Sequence, residues 1–136
     1  MKGKHNKFLK YFSPALVWGV FILILSGIPG NAFPTIPSFL DWLRPDKIIH
    51  LFIYCVFGCL LQFGFDRQFS EKKKRFFIIL LTLVIGILFG AITEIMQIFI
   101  FVGRNGSIFD FCANVLGCLL GILIYYLIFL KKLTKT

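Results

Sequence analysis

The sequence predicts an all-α membrane protein: a four-transmembrane-helix bundle with both termini cytoplasmic. Three observations carry this. The 136 residues are 58% hydrophobic and include 18 Phe, against roughly 45–50% apolar in soluble domains. The apolar residues fall into four runs, approximately 11–28, 47–65, 76–101 and 108–130, and about 20 helical residues cross a bilayer. Of the 15 Lys and Arg, 12 lie in the N-terminus, the 66–75 loop and the C-terminal tail; the other side keeps Arg44, Lys47 and Arg104. The positive-inside rule makes the basic side cytoplasmic.

The first run follows Lys2, Lys4, Lys7 and Lys10. A basic start before a short apolar stretch is shared with secretory signal peptides, but Ser26-Gly27-Ile28-Pro29 offers no clean small-x-small cleavage site, so an uncleaved helix is expected. The connection from 29 to 45 holds Pro29, Pro34, Pro37 and Pro45, which block a continuous helix. Residues 38–44 are expected as a short turn on the outer surface, with Trp42 at headgroup level, where Trp is enriched. Asp46-Lys47-x-x-His50 opens the second run; a carboxylate after Pro45 suits a helix start. The third run contains Glu94, which costs ~2.5–3.5 kcal/mol in a membrane helix unless it faces other helices or a wet cavity. Residues 102–107 include Gly103 and Gly106 and permit a tight reversal, making the third and fourth helices antiparallel neighbours. Asp110 and Asn114 open the last run.

Spacing indicates which faces meet. His50, Tyr54, Gly58 and Gln62 recur every four residues, as do Gly86, Gly90 and Glu94, with Gln97 one turn on. Asp110 and Asn114 run beside Ala113, Gly117 and Gly121. Residues three and four apart share a helix face, and small ones there let membrane helices approach closely. Glu94 lies ~10 Å from its helix end and Asn114 ~9 Å from its own, at 1.5 Å per residue, so the two are expected to meet. The bland reading is a buried hydrogen bond that specifies the bundle; the functional one is a polar site in the outer leaflet. Cys55, Cys59, Cys112 and Cys118 form no C-x-x-C pair and read as packing residues.

The basic residues that give the net charge of +9 flank apolar spans, so anionic lipid headgroups, not nucleic acid, are the expected partner. Neither a nucleophile elbow nor H-E-x-x-H nor a phosphate loop is present, and Ser107 reads as a turn cap.

Asp46-Lys47-x-x-His50 with Tyr54, then Glu94-x-x-Gln97, Arg104-x-Gly106-Ser107 and Asp110-x-x-x-Asn114-x-x-Gly117-x-x-x-Gly121, closely resemble the signature of VanZ-like membrane proteins. The resemblance covers all four runs, so the chain is expected to be one VanZ-like integral membrane domain. It implies a multi-pass protein of the bacterial plasma membrane; the family takes its name from a member associated with teicoplanin resistance. Two function classes follow. In the first, Asp46, His50, Tyr54, Glu94, Gln97, Arg104, Asp110 and Asn114 form a polar site. Lys47 and Arg104 there engage an anionic lipid headgroup or a lipid-linked cell-wall precursor, contributing to glycopeptide tolerance. In the second, His50, Glu94 and Asp110 supply acid–base groups or metal ligands to an intramembrane enzyme. Binding without turnover, cofactor or resident metal is the expectation.

Overall fold

A computed structural model describes residues 2–29, 32, 45–69 and 74–133. Four helices account for almost all of them: α1 (Lys2–Ser26), α2 (Pro45–Phe69), α3 (Arg75–Phe99) and α4 (Ile108–Leu133). Each is long and apolar enough to cross a membrane. The expected turn at 38–44, with Trp42, lies outside the described residues.

Helix limits differ from the apolar runs where polar residues continue a helix. The first helix begins well before the apolar stretch and passes through Pro14. Proline lacks the N–H that would serve the carbonyl four residues earlier; the Ser13 hydroxyl donates to that Lys10 carbonyl instead (3.5 Å). The second helix likewise continues to Phe69. The third ends at Phe99, and Ile100 and Phe101 both donate to the Met96 carbonyl as the chain turns. Gly103 supplies the left-handed conformation of the reversal (φ +78°). Ser107 then caps α4: its carbonyl accepts from Asp110 and Phe111, and its hydroxyl accepts from the Phe109 N–H (3.2 Å).

The burial pattern is inverted relative to a water-soluble bundle. Gln62, Thr82, Thr93 and Asn114 are fully buried, while Val17, Phe76 and Phe99 are at least 70% exposed. Apolar side chains outside and polar ones inside suit hydrocarbon as solvent. A core of Phe12, Ala15, Ile22, Ile53, Phe57, Leu61 and Phe65 joins α1 to α2, helped by the Trp18 indole N–H, which donates to the Ile53 carbonyl (2.8 Å). Helices α2 and α4 run parallel and pack most extensively of any pair. A Cβ at Gly121 would overlap the Cys55 carbonyl oxygen, and one at Gly117 the Leu51 carbonyl oxygen. Gly86, Gly90 and Ala113 are also buried, with Gly86 against the Cys118 side chain and Gly90 against Asn114. The packing expectation fails for Cys112, which is exposed; Cys118 is fully buried and all four thiols are free.

Candidate functional site

The C-terminal ends of α1 and α3, the N-terminal ends of α2 and α4, and residues 102–107 gather at one end of the bundle. Glu94 lies at the centre. Its Oε1 accepts from the Asn114 amide (3.1 Å) and its Oε2 from the Ser107 backbone N–H (3.0 Å). Gln97 completes the set: in the amide orientation that satisfies both charged neighbours, its nitrogen donates to Glu94 Oε2 (3.2 Å) and its oxygen accepts from Arg104 Nη2 (3.1 Å). Asn114 Oδ1 faces His50 Nδ1 at 2.9 Å. Glycine makes two of these approaches possible. A side chain at Gly106 would overlap Ile98 and the Glu94 carbonyl, so its absence lets the loop fold onto α3 and deliver the Ser107 N–H; Gly90 makes room for Asn114.

Around this short-bonded network lies a looser ring of charges. Arg104 reaches Asp46 Oδ1 from two nitrogens at 3.4 and 3.5 Å. Lys47 donates to Asp110 Oδ1 at 3.4 Å, and His50 Nε2 is 3.8 Å from Asp46 Oδ1. Contacts beyond ~3.2 Å are weak hydrogen bonds. A cleft of ≈100 Å³ opens here, lined by Leu25, Ser26, Asp46, His50, Ile53 and Arg104 among others. The Arg104 side chain is buried, 8% exposed, whereas Asp46, its carboxylate partner, is 35% exposed.

The expected meeting of Glu94 with Asn114 is thus present, and His50, Gln97, Arg104, Asp46 and Asp110 all join the assembly. Tyr54 does not reach it. Thr93 spends its single hydroxyl hydrogen on the Gly90 carbonyl (2.9 Å), so Tyr54 donates to Thr93 Oγ1 (2.6 Å), deeper in the bundle. Ser26, a cleft residue, had no signal in the sequence beyond its place at a helix end. A second polar group lies at the opposite end of α2 and α4, where the four-residue stripe on α2 ends in Gln62. There Gln62 donates to the Tyr126 hydroxyl and Tyr125 donates to Asp66, both at 2.8 Å.

Metal ligation depends on the donor set. One ligand atom each from Asp46, His50 and Asp110 lies within 4.8 Å of the others, a separation a cation can bridge. Both carboxylates already face cations, Arg104 and Lys47, which would have to be displaced. A metal at this set would therefore compete with Arg104 and Lys47 for the two carboxylates.

The VanZ/LLP1 family profile aligns with residues 8–130. The chain belongs to the VanZ/LLP1 family. A fission-yeast (Schizosaccharomyces pombe) relative, the uncharacterized protein C11E3.10, is 30% identical over 116 residues, 85% of this chain and 65% of the relative. The chain therefore spans slightly less than two thirds of that protein's length. No solved structure matches. Every residue of the Glu94 network lies inside the VanZ/LLP1 match, and family membership agrees with a multi-pass membrane protein.

Proposed function

We propose that the chain binds the phosphate of a membrane lipid in the cleft beside Arg104. The observation that carries this reading is the inverted exposure of the Arg104–Asp46 pair. The cation lies inside and the carboxylate at the mouth, joined only by contacts of 3.4–3.5 Å. An entering anion can take the place of Asp46 at the guanidinium and gain shorter, charge-assisted hydrogen bonds. Lys47, about a third exposed, adds a second positive charge nearby.

Size narrows the ligand. Sites for drug-sized molecules run to roughly 300–1,000 Å³; a cleft of ≈100 Å³ takes a phosphate and little else. The saccharide and peptide of a wall precursor would stay outside it. Phosphate is common to phospholipids and lipid-linked wall precursors, but a relative in a yeast, whose wall contains no peptidoglycan, favours phospholipid. With the basic side cytoplasmic, the cleft opens to the outer leaflet. In a bacterial plasma membrane, a contribution to teicoplanin tolerance follows if the bound phosphate belongs to the wall precursor.

Binding of phosphatidic acid, phosphatidylglycerol and a polyprenyl-pyrophosphate-linked precursor to detergent-purified protein tests this. Arg104→Ala should weaken the preferred lipid about tenfold or more, the loss of a charge-assisted bond worth ~1.5–3 kcal/mol. Equal binding by wild type and Arg104→Ala would refute it. Teicoplanin susceptibility of a bacterial host, measured beside protein abundance, separates the sources: tolerance that Arg104→Ala abolishes points to the precursor, and its absence leaves the phospholipid.

A further inference from the structure

Three N–H donors, from Asn114, Ser107 and Gln97, are aimed at the Glu94 carboxylate, which in its ionised form only accepts hydrogen bonds, and this sets the orientation of its neighbours. The Asn114 amide must turn its NH₂ to Glu94 Oε1 (3.1 Å), which aims its carbonyl oxygen at His50 Nδ1 (2.9 Å). A carbonyl oxygen is also purely an acceptor, so Nδ1 carries the proton and the neutral ring keeps its lone pair on Nε2. That nitrogen faces away from the network. Asp46 Oδ1, at 3.8 Å, is beyond hydrogen-bond distance, and both side chains line the cleft with Arg104. His50 is 2% exposed, so packing holds the ring in this pose.

From this geometry we infer an activity, resting on the phosphate-binding reading above: the cleft hydrolyses a lipid phosphomonoester, with His50 Nε2 as the proton-transfer group. Arg104 holds the phosphoryl oxygens. A water oxygen forms a bond to phosphorus while the bond from phosphorus to the lipid oxygen breaks. The water's proton passes to Nε2 and from there to the leaving lipid oxygen. The products are a lipid alcohol and inorganic phosphate, with no change of oxidation state. While the ring holds the extra proton, Asp46 and Glu94, each 3.8 Å from one of its nitrogens, balance the charge. Arg104 does the same for charge on the phosphoryl group in the transition state. His50 and Arg104 are the catalytic residues; Glu94 and Asn114 are positioning residues that set the tautomer. A monoester is indicated because the cleft admits a phosphate-sized group, leaving the scissile oxygen at the mouth and the acyl chains in the membrane.

The test is release of inorganic phosphate from phosphatidic acid by the purified full-length chain, beside binding of a non-hydrolysable phosphonate analogue of that lipid. Wild type should release phosphate, with phosphatidylglycerol, a diester, much poorer. His50→Gln should lose release about 100-fold or more yet bind the phosphonate. Glu94→Gln is the sharper probe. A carboxamide at 94 lets Asn114 turn over, presents NH₂ to Nδ1 and moves the ring proton to Nε2, the wrong tautomer. Its kcat should fall by a similar factor with KM and phosphonate binding kept, an outcome that a merely structural role for Glu94 would not produce. Phosphonate binding without phosphate release by wild type overturns the hydrolysis and leaves lipid binding standing; failure to bind any phosphate lipid overturns both. Full release by His50→Gln refutes the assignment of the base.

Discussion

Asn114 holds the site together because it serves a group on each side at once. Asn114→Ala strips a donor from Glu94 and an acceptor from His50, both buried. Leaving buried polar groups unsatisfied costs about 1–3 kcal/mol each, so thermal unfolding in detergent should shift clearly downward. Asn114→Asp, nearly the same size, should be at least as damaging, since it sets a second carboxylate against Glu94. Unchanged unfolding in both variants would remove Asn114 from the network. His50, Glu94, Asp110 and Asn114 were legible in the sequence because ionisable and amide side chains are expensive in apolar runs. The bridge from Gln97 to Arg104 was not, as it depends on the 102–107 loop folding back across α3. Thr93 was silent for another reason: a threonine bonded to its own helix carbonyl carries no sign that a tyrosine on α2 leans on it.

Between helices, the small residues do unequal work. Gly86 faces the Cys118 sulfur, a side chain that can be removed, whereas Gly121 faces the Cys55 carbonyl, which cannot. Gly86→Ala should destabilise by about 1–3 kcal/mol and be largely rescued by Cys118→Ala. Gly121→Ala should destabilise at least as much, with no rescue from Cys55→Ala. Double-mutant cycles on unfolding in detergent measure both couplings; rescue of both pairs would show that α2 and α4 do not approach by backbone contact. The four-residue period of these glycines marked the packing faces, and the short 102–107 reversal made α3 and α4 neighbours. The parallel pairing of α2 with α4 was not legible, because any small-residue stripe fits any other and no short loop joins those two helices.

For the molecule as a whole, the charge asymmetry and the inverted burial concern different properties. Burial identifies hydrocarbon as the surroundings of the helices, whereas sidedness rests on the 12-to-3 distribution of Lys and Arg. Single cysteines in a Cys-free background test it with a membrane-impermeant reagent on intact cells: position 105 should label and position 72 should not. The reverse pattern would put the Glu94 network at the cytoplasmic face. Four spans were readable from run length alone. The extension of α1 back to Lys2 was not, since the basic residues ahead of the apolar run carry no hydropathy signal.

The Ser107 N–H ends on Glu94 Oε2, so a backbone proton in a surface loop is tied to a carboxylate more than one helical turn inside α3. Loop amides ordinarily exchange with solvent deuterium through small local openings, whereas core amides wait for larger ones. Ser107 should exchange on the slow clock of the helices around it while Gly103 and Asn105 exchange on the fast one. Its deuteration rate would then report, from the membrane surface and without any bound ligand, whether the interior carboxylate still holds its neighbours.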